Sequence, residues 1–284
     1  MSPSPIRLGL IGDNIAASSS PALHRIAGRL TGLTVTYDLL RPADLKRSFE
    51  AVMAWAEASG YRGLNITYPY KERVVAHLDV PDPVVRAIGA CNTLLFGAGR
   101  PEGWNTDYSG FMAAYRHGFG DTPPGRVAMA GSGGVGRAIA FGLCQLGASE
   151  LRLFDIDFAK STALAEALGA LRSGTNVTAA RSIEEATDKA EGLVNSTPVG
   201  MVGIGGCPFP PASIAGRRWA FDAVYTPVDT PFMVGAKAAG LELLSGYELF
   251  FYQGVDAFRH FVGKDVPEMQ LRAALLEGEN RVPA

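Results

Sequence analysis

Short apolar runs alternate with amphipathic stretches along most of the chain. Ile6–Ile11, Val35–Leu40, Leu64–Thr67 and Thr93–Phe96 read as strands. Between them, Ser20-Pro21 offers an N-cap followed by proline at the first position of a helix over Ala22–Leu30. Ala43–Ser59 has helical periodicity, and Tyr70–Leu78 reads as a helix stopped near Pro81 and Pro83. The turn-rich Gly120-Asp121-Thr122-Pro123-Pro124-Gly125 suits a domain boundary. Beyond it, strands are predicted at Arg126–Ala130, Leu151–Asp155, Gly192–Asn195, Trp219–Val224 and Leu241–Leu244. Helices are predicted at Val135–Leu146 and Ala159–Leu168, and an amphipathic helix from Glu248 to about Phe261. This order predicts an α/β fold in two domains, with parallel or mixed sheets covered by helices.

Composition narrows the class. Of 284 residues, 47% are apolar and 19% charged, which opposes disorder. Lys+Arg 26 against Asp+Glu 28 leaves −2, so no strong field draws nucleic acid or anionic lipid, and neither is an expected partner. No uninterrupted apolar run reaches the ~18 residues of a membrane span. The start, Met1-Ser2-Pro3-Ser4-Pro5, lacks the basic opening of a signal peptide. Cys91, Cys144 and Cys207 are odd in number and widely spaced, so they are expected as buried thiols in a reducing cytoplasm. His24, His77, His117 and His260 show no ligand spacing and are read as surface or satisfied helix residues; no metal is expected.

Gly131-Ser132-Gly133-Gly134-Val135-Gly136 matches G-x-G-x-x-G, follows a predicted strand and opens a predicted helix. Gly131 permits the tight turn, Gly133 lets backbone approach a pyrophosphate, and Gly136 permits close helix–strand packing. The helix N-terminus then offers N–H groups and its positive dipole end to phosphate. Asp155 lies 19 residues beyond Gly136, at the carboxyl end of the next strand, where an acid accepts hydrogen bonds from an adenosine ribose. A 2′-phosphate there would meet Asp155, reinforced by Asp157. The residue between them is Ile156, so no adjacent guanidinium holds it, and NAD is favoured over NADP.

In the first half, polar residues gather where strands end. Ser18-Ser19-Ser20 follows the first strand, and Asn65-Ile66-Thr67-Tyr68-Pro69-Tyr70-Lys71 spans a strand-to-helix turn. Cys91-Asn92-Thr93 and Asn105-Thr106-Asp107 repeat an Asn-Thr theme. Hydroxyls and amides at strand carboxyl ends suit a polyhydroxylated ligand. Lys71 and Asp107 provide an ammonium and a carboxylate for proton transfer from an alcohol.

The segments LGLIGDNIAASSSPALH, GLNITYPYKE, GACNT, GWNTDYSGF, GSGGVGRA, NSTPVGM, DAVYTP and GYELFFYQGVDAF together resemble the shikimate dehydrogenase family, closest to its NAD-using quinate/shikimate dehydrogenase branch. The resemblance runs from about residue 8 to residue 258. It implies a mixed α/β substrate domain over 1–107, a Rossmann-type nucleotide domain over 108–246, and a C-terminal segment 247–284 that packs back on the first domain. The activity implied is hydride transfer between NAD(P) and a ring hydroxyl or ketone of a cyclic polyhydroxy carboxylate. The acid is shikimate or quinate, the place the shikimate pathway of aromatic amino acid biosynthesis, and the protein a monomer or homodimer. On individual residues, the resemblance makes Lys71 and Asp107 the catalytic pair. Ser18 and Ser20 hold the substrate carboxylate, Thr67, Asn92 and Gln253 bind ring hydroxyls, and Tyr225 lies near the carboxylate. Gly131, Gly133, Gly134, Val135, Gly136 and Asp155 hold the dinucleotide. Asn195, Thr197 and Met201 wall the nicotinamide, with Val224 and Gly246 also on the cofactor side.

The chain also departs from the family. Asp155-Ile156-Asp157 replaces the Asn-Arg-Thr-like segment of NADP-dependent members. Ser20 stands where the NAD branch often has Thr, and Gly254 replaces the usual alanine after Gln253. Lys71 either accepts the hydroxyl proton as an amine or holds the developing alkoxide as an ammonium. Two rivals remain: a relative acting on an aminated ring such as aminoshikimate, and a catalytically silent NAD-binding sensor. The intact Lys71/Asp107 pair opposes the second.

Overall fold

This computed structural model describes residues 4–279; Met1, Ser2, Pro3 and 280–284, at the two ends of the segments read above, lie outside the described residues. The chain divides into two compact units, one running to Thr106 and resuming at Gln253, the other Asp107–Tyr252. The second crossing falls inside the helix Gly246–Val262 rather than at its start.

The first unit holds strands β1 (Ile6–Ile11), β2 (Val35–Leu40), β3 (Gly63–Ile66), β4 (Thr93–Leu95) and β5 (Glu102–Trp104), ordered β2-β1-β3-β4-β5. β1 is parallel to β2 and β3, while β4 is antiparallel to both its neighbours. All four residues of β3 are buried, as a strand covered on both faces requires. Ile11, Leu64, Ile66 and Leu94 form the core with Phe49 and Val52 of the helix Phe49–Ala58 and Val85 of the helix Pro83–Ile88. The chain from Gln253 returns to this unit. Arg62 Nε donates to the Phe261 carbonyl at 3.1 Å, and Lys264 Nζ to that of Thr31 at 3.3 Å. The helix Glu268–Glu279 lies along the helix Ser20–Leu30, with Leu271 and Leu275 buried.

The second unit holds β6 (Arg126–Ala130), β7 (Glu150–Phe154), β8 (Asn176–Ala179), β9 (Gly192–Asn195), β10 (Trp219–Asp222) and β11 (Glu242–Ser245). They form one parallel sheet ordered β11-β10-β9-β6-β7-β8. The chain winds outward from β6 to β8, then crosses to β9 and winds the other way. The switch point lies between β6 and β9, where doubly wound sheets bind dinucleotides. Phe111 and Tyr115 of the helix Thr106–Phe119 meet Phe221 and Trp219 of β10 edge-on, at 5.1 and 5.4 Å between ring centroids.

Several predicted elements are corrected. The periodic stretch 43–59 is two helices, Pro42–Leu45 and Phe49–Ala58. Lys46 takes a left-handed conformation that ends the first, and Ser48 Oγ accepts from Ala51 N at 3.2 Å to cap the second. Tyr70–Leu78 is only a 3₁₀ turn, Arg73–His77. Ser20 is not an N-cap: the helix starts at Ser20 itself, with Ser19 before it making no side-chain cap bond. β5, β8 and the helices Thr106–Phe119 and Glu268–Glu279 escape the apolar pattern because they are short or half polar. His24 is not a surface residue: it is 1% exposed, stacked on Tyr37 at 4.8 Å and flanked by Phe258 and Phe261. Cys91 and Cys144 are buried, but Cys207 is exposed.

Candidate active site

In the first unit the candidate residues leave one edge of the sheet. β1 and β3 pair with Ile11 opposite Ile66, so the segments after them emerge side by side. Thr67 N donates to the Ile11 carbonyl at 2.9 Å, and Asp13 N to that of Tyr68 at 3.1 Å, which lashes the two loops together. Gly12 is essential to the approach, since a Cβ there would stand 2.3 Å from the Thr67 methyl. Ser18 and Ser20 are half-buried, and their hydroxyls are 3.2 Å apart, Ser18 donating. Lys71, also half-buried, sits beyond a cis Tyr68–Pro69 bond, and its carbonyl accepts from Cys91 N at 2.8 Å.

Asn92 precedes the antiparallel β4 and so lies at this same edge. Its carbonyl accepts from Ile66 N at 2.8 Å, and its side chain is 3% exposed. β5 runs back towards that edge and leads into Asn105-Thr106, where Thr106 N donates to Asn92 Oδ1 at 2.7 Å. Ser18, Ser20, Thr67, Lys71, Asn92 and Thr106 thus gather at one sheet edge. Gln253 opens the returning segment, with Gly254 packed against Leu23. Asp107, 5% exposed, follows Thr106 in the first turn of its helix, where the N-terminal dipole favours a carboxylate. A cavity of about 770 Å³ lined by Arg62, Arg86, Arg100 and Glu102 lies at the opposite edge and contains none of these residues.

In the second unit the glycine loop joins β6 to the helix Gly134–Gln145. Gly131 has φ 98°, a left-handed turn that other residues avoid, and a Cβ on Gly136 would lie 2.5 Å from the Gly131 carbonyl. Nothing stands within 4 Å of a Cβ position on Gly133, so backbone is bare at the helix N-terminus, as a pyrophosphate requires. Asp155 Oδ2 accepts from Ser132 N at 2.7 Å and Oδ1 from Asp157 N at 2.9 Å, which ties the end of β7 to the loop. Asp157 caps its helix through Ala159 N at 3.2 Å, and Ile156 is 98% exposed. These features fit a dinucleotide.

Across the switch point, Asn195 is fully engaged. Its Nδ2 donates to the Val199 carbonyl and to Asp222 Oδ1, and its Oδ1 accepts from Thr197 N and Oγ1. It shapes the Thr197–Met201 wall with no polar atom left for a ligand. Asp222 escaped sequence reasoning. It is fully buried and accepts from Asn195, Val224 N and Thr230 Oγ1, while burial pushes its carboxyl above the usual range. A Cβ on Gly246 would lie 2.7 Å from the Asp222 and Ala223 carbonyls. Tyr225 stacks on Phe250 at 5.3 Å, and burial raises its phenol. Arg181 also escaped notice: from beyond β8 its guanidinium lies 4.7 Å over the Phe158 ring, beside the segment that opens with Asp155. Among the described residues, no group of three or more His, Cys, Asp and Glu could hold a metal, and no helix is long and apolar enough to cross a membrane.

Residues 10–94 match the family model described as the shikimate dehydrogenase substrate binding domain. The quinate/shikimate dehydrogenase (NAD(+)) of Corynebacterium efficiens is 37% identical over 277 residues, covering 95% of this chain and 98% of that one. The chain belongs to the shikimate dehydrogenase family. The shikimate dehydrogenase (NADP(+)) of Pseudarthrobacter chlorophenolicus is 38% identical, covering 95% and 94%. In structure, quinate dehydrogenase from Corynebacterium glutamicum in complex with NAD superposes with TM-score 0.88 at 33% identity, covering 96% of this chain and 99% of that one. Shikimate 5-dehydrogenase from Thermus thermophilus with NADP(H) and shikimate superposes with TM-score 0.83 at 32% identity, with the same coverage. Members of this family are NAD(P)-dependent oxidoreductases, and the relatives divide over the nucleotide.

Proposed function

We infer that the protein is an NAD-preferring dehydrogenase of a cyclic polyhydroxy carboxylate, with shikimate and quinate the candidate acids, working in a reducing cytoplasm. The observation that carries this reading is the pairing of β1 with β3, which delivers the Ser18/Ser20 hydroxyls and the Thr67–Lys71 turn to one sheet edge beside Asn92. A bound nicotinamide supplies the hydride acceptor. The chain's own residues do the rest. Ser18 and Ser20 donate to the substrate carboxylate, supported by Tyr225. Thr67, Asn92 and Gln253 orient ring hydroxyls. Lys71 Nζ and the Asp107 carboxylate meet the reacting hydroxyl and manage its proton.

The NAD preference rests on Asp155, whose carboxylate is anchored at the loop where an adenosine ribose would lie. Repulsion of ~1–3 kcal/mol between it and a 2′-phosphate corresponds to roughly 5- to 150-fold discrimination. The deciding assay crosses shikimate, quinate and aminoshikimate with both nucleotides. NAD should give the higher kcat/KM; equality or reversal removes the preference, and turnover of none of the acids removes the activity. Asp155→Ser with Ile156→Arg should move the ratio towards NADP. Arg181→Ala should depress only the residual NADP rate, because Arg181 is the guanidinium beside that segment.

A further inference from the structure

A chain of buried polar side chains runs across the first sheet from β2 to the start of the helix Thr106–Phe119. The Tyr37 hydroxyl donates to Asn65 Oδ1 at 2.8 Å. Asn65 Nδ2 donates to Thr93 Oγ1 at 3.0 Å and to the Asn92 carbonyl at 3.3 Å. Thr93 Oγ1 donates to Asn92 Oδ1 at 3.1 Å, and Asn92 Nδ2 donates to Thr106 Oγ1 at 3.0 Å. Asn65 and Asn92 are at most 6% exposed and Thr93 is fully buried, so each group depends on its partners.

Two main-chain groups set the direction of the whole chain. The Asn92 carbonyl can only accept, so the Asn65 amide must turn its nitrogen towards β4. Thr106 N–H can only donate, and at 2.7 Å it holds Asn92 Oδ1. Thr93 Oγ1 accepts from Asn65 and has its one hydrogen for Asn92 Oδ1 at 3.1 Å or for Thr106 Oγ1 at 3.2 Å. The Asn92 oxygen holds Thr106 N–H and lies within reach of both the Thr93 and the Thr106 hydroxyls, at 3.1 and 3.2 Å, so its lone pairs are engaged. One Asn92 Nδ2 hydrogen goes to Thr106 Oγ1, and the other is the amide's only remaining group.

We propose that Thr93 is a positioning residue: through this buried relay it locks the Asn92 amide into one orientation, so that Asn92 offers the substrate a single N–H donor and no acceptor. The ring oxygen that meets Asn92 then acts as an acceptor. The inference rests on the reading above in which Asn92 meets the substrate ring. The same Asn92 oxygen caps the helix whose second residue is Asp107, so one hydroxyl on β4 serves both.

Thr93→Val keeps the shape and removes the hydroxyl; Thr93→Ser keeps the hydroxyl and removes a methyl. The relay predicts that Thr93→Val raises KM for the acid roughly 5- to 30-fold with a smaller change in kcat, while Thr93→Ser stays within about 3-fold of wild type. The dissociation constant for NAD, from direct titration, should be unchanged in both. A packing role predicts the reverse order, so a KM raised at least as much by Thr93→Ser as by Thr93→Val overturns the proposal. So does an unchanged KM in a folded Thr93→Val. A second readout needs no turnover: hydrogen exchange at the Thr106 amide should quicken about tenfold in Thr93→Val and not in Thr93→Ser. Unchanged exchange overturns the relay even if the enzyme works. Failure of the wild type on every acid would overturn the functional reading and its link to Asn92, with the exchange result still judging the relay.

Discussion

His24 carries a titratable ring into an aromatic slot. Burial pulls its pKa down to about 3, opposed by a hydrogen bond with Asn65, and its Nδ1 is buried without a hydrogen-bond partner among the described residues. A histidine depressed in the folded state contributes stability that is present above its unfolded value near 6.5 and is lost as pH falls towards about 3. Below pH 6.5 wild type should therefore lose up to about 1.4 kcal/mol per pH unit from this group. His24→Phe, whose ring fits the same stack, should flatten that slope, as urea unfolding at pH 7 and pH 5 would show. The proposed Lys71/Asp107 pair is a sharper matter. Lys71→Ala should cut kcat by ~10²–10⁴-fold while NAD still binds, and Asp107→Asn should also slow turnover. A double-mutant cycle should give less than multiplicative losses, because groups acting as a unit fail together. Near wild-type turnover in Lys71→Ala would take the lysine out of the reaction. The strand-end positions of these two residues were legible because each sits in a short motif. Asp222, Arg181 and the Thr93 relay were not, because strand register decides what a side chain faces, and no local pattern encodes register.

Elements show the same division. The strand-loop-helix around Gly131–Gly136 was readable because both periods and the glycines are local. What the sequence assigned to Gly133 and Gly136 now separates into two measurable effects. Gly133→Ala meets no neighbour within 4 Å, so it should cost only the ~1 kcal/mol or less of a poorer helix N-cap yet weaken NAD at least ~10-fold by filling the phosphate space. Gly136→Ala drives a methyl to 2.5 Å from the Gly131 carbonyl and should cost both stability, by ~1–3 kcal/mol, and NAD affinity. Unfolding and NAD titration of both variants check the pair; a Gly133→Ala destabilised more than Gly136→Ala would contradict the open space. The break in 43–59 was illegible for the opposite reason. One left-handed residue and one serine cap outweigh a continuous apolar stripe, since each acts on backbone hydrogen bonds that the stripe does not describe.

At the scale of the whole molecule, the return of the chain from Gln253 governs the substrate unit. Gly254 permits it: a Cβ there would stand 2.5 Å from Leu23 Cδ1, and Leu23 is fully buried three residues on from Ser20. Gly254→Ala, which restores the family's usual residue, should lower stability by ~1–3 kcal/mol and raise KM for the acid before it touches NAD affinity. Unaltered unfolding and KM would mean that Leu23 gives way freely.

That return also orders events during synthesis. Residues 107–252 form a continuous stretch, so the nucleotide unit has all its strands before the last part of the chain leaves the ribosome. The substrate unit begins first and finishes last, since it needs Phe258, Phe261, Leu271 and Leu275 to cover the surface around His24 and the helix Ser20–Leu30. Until then its apolar face stays open, the state in which nascent chains need chaperones. A polypeptide released early would carry every strand of the nucleotide unit but an unfinished substrate unit.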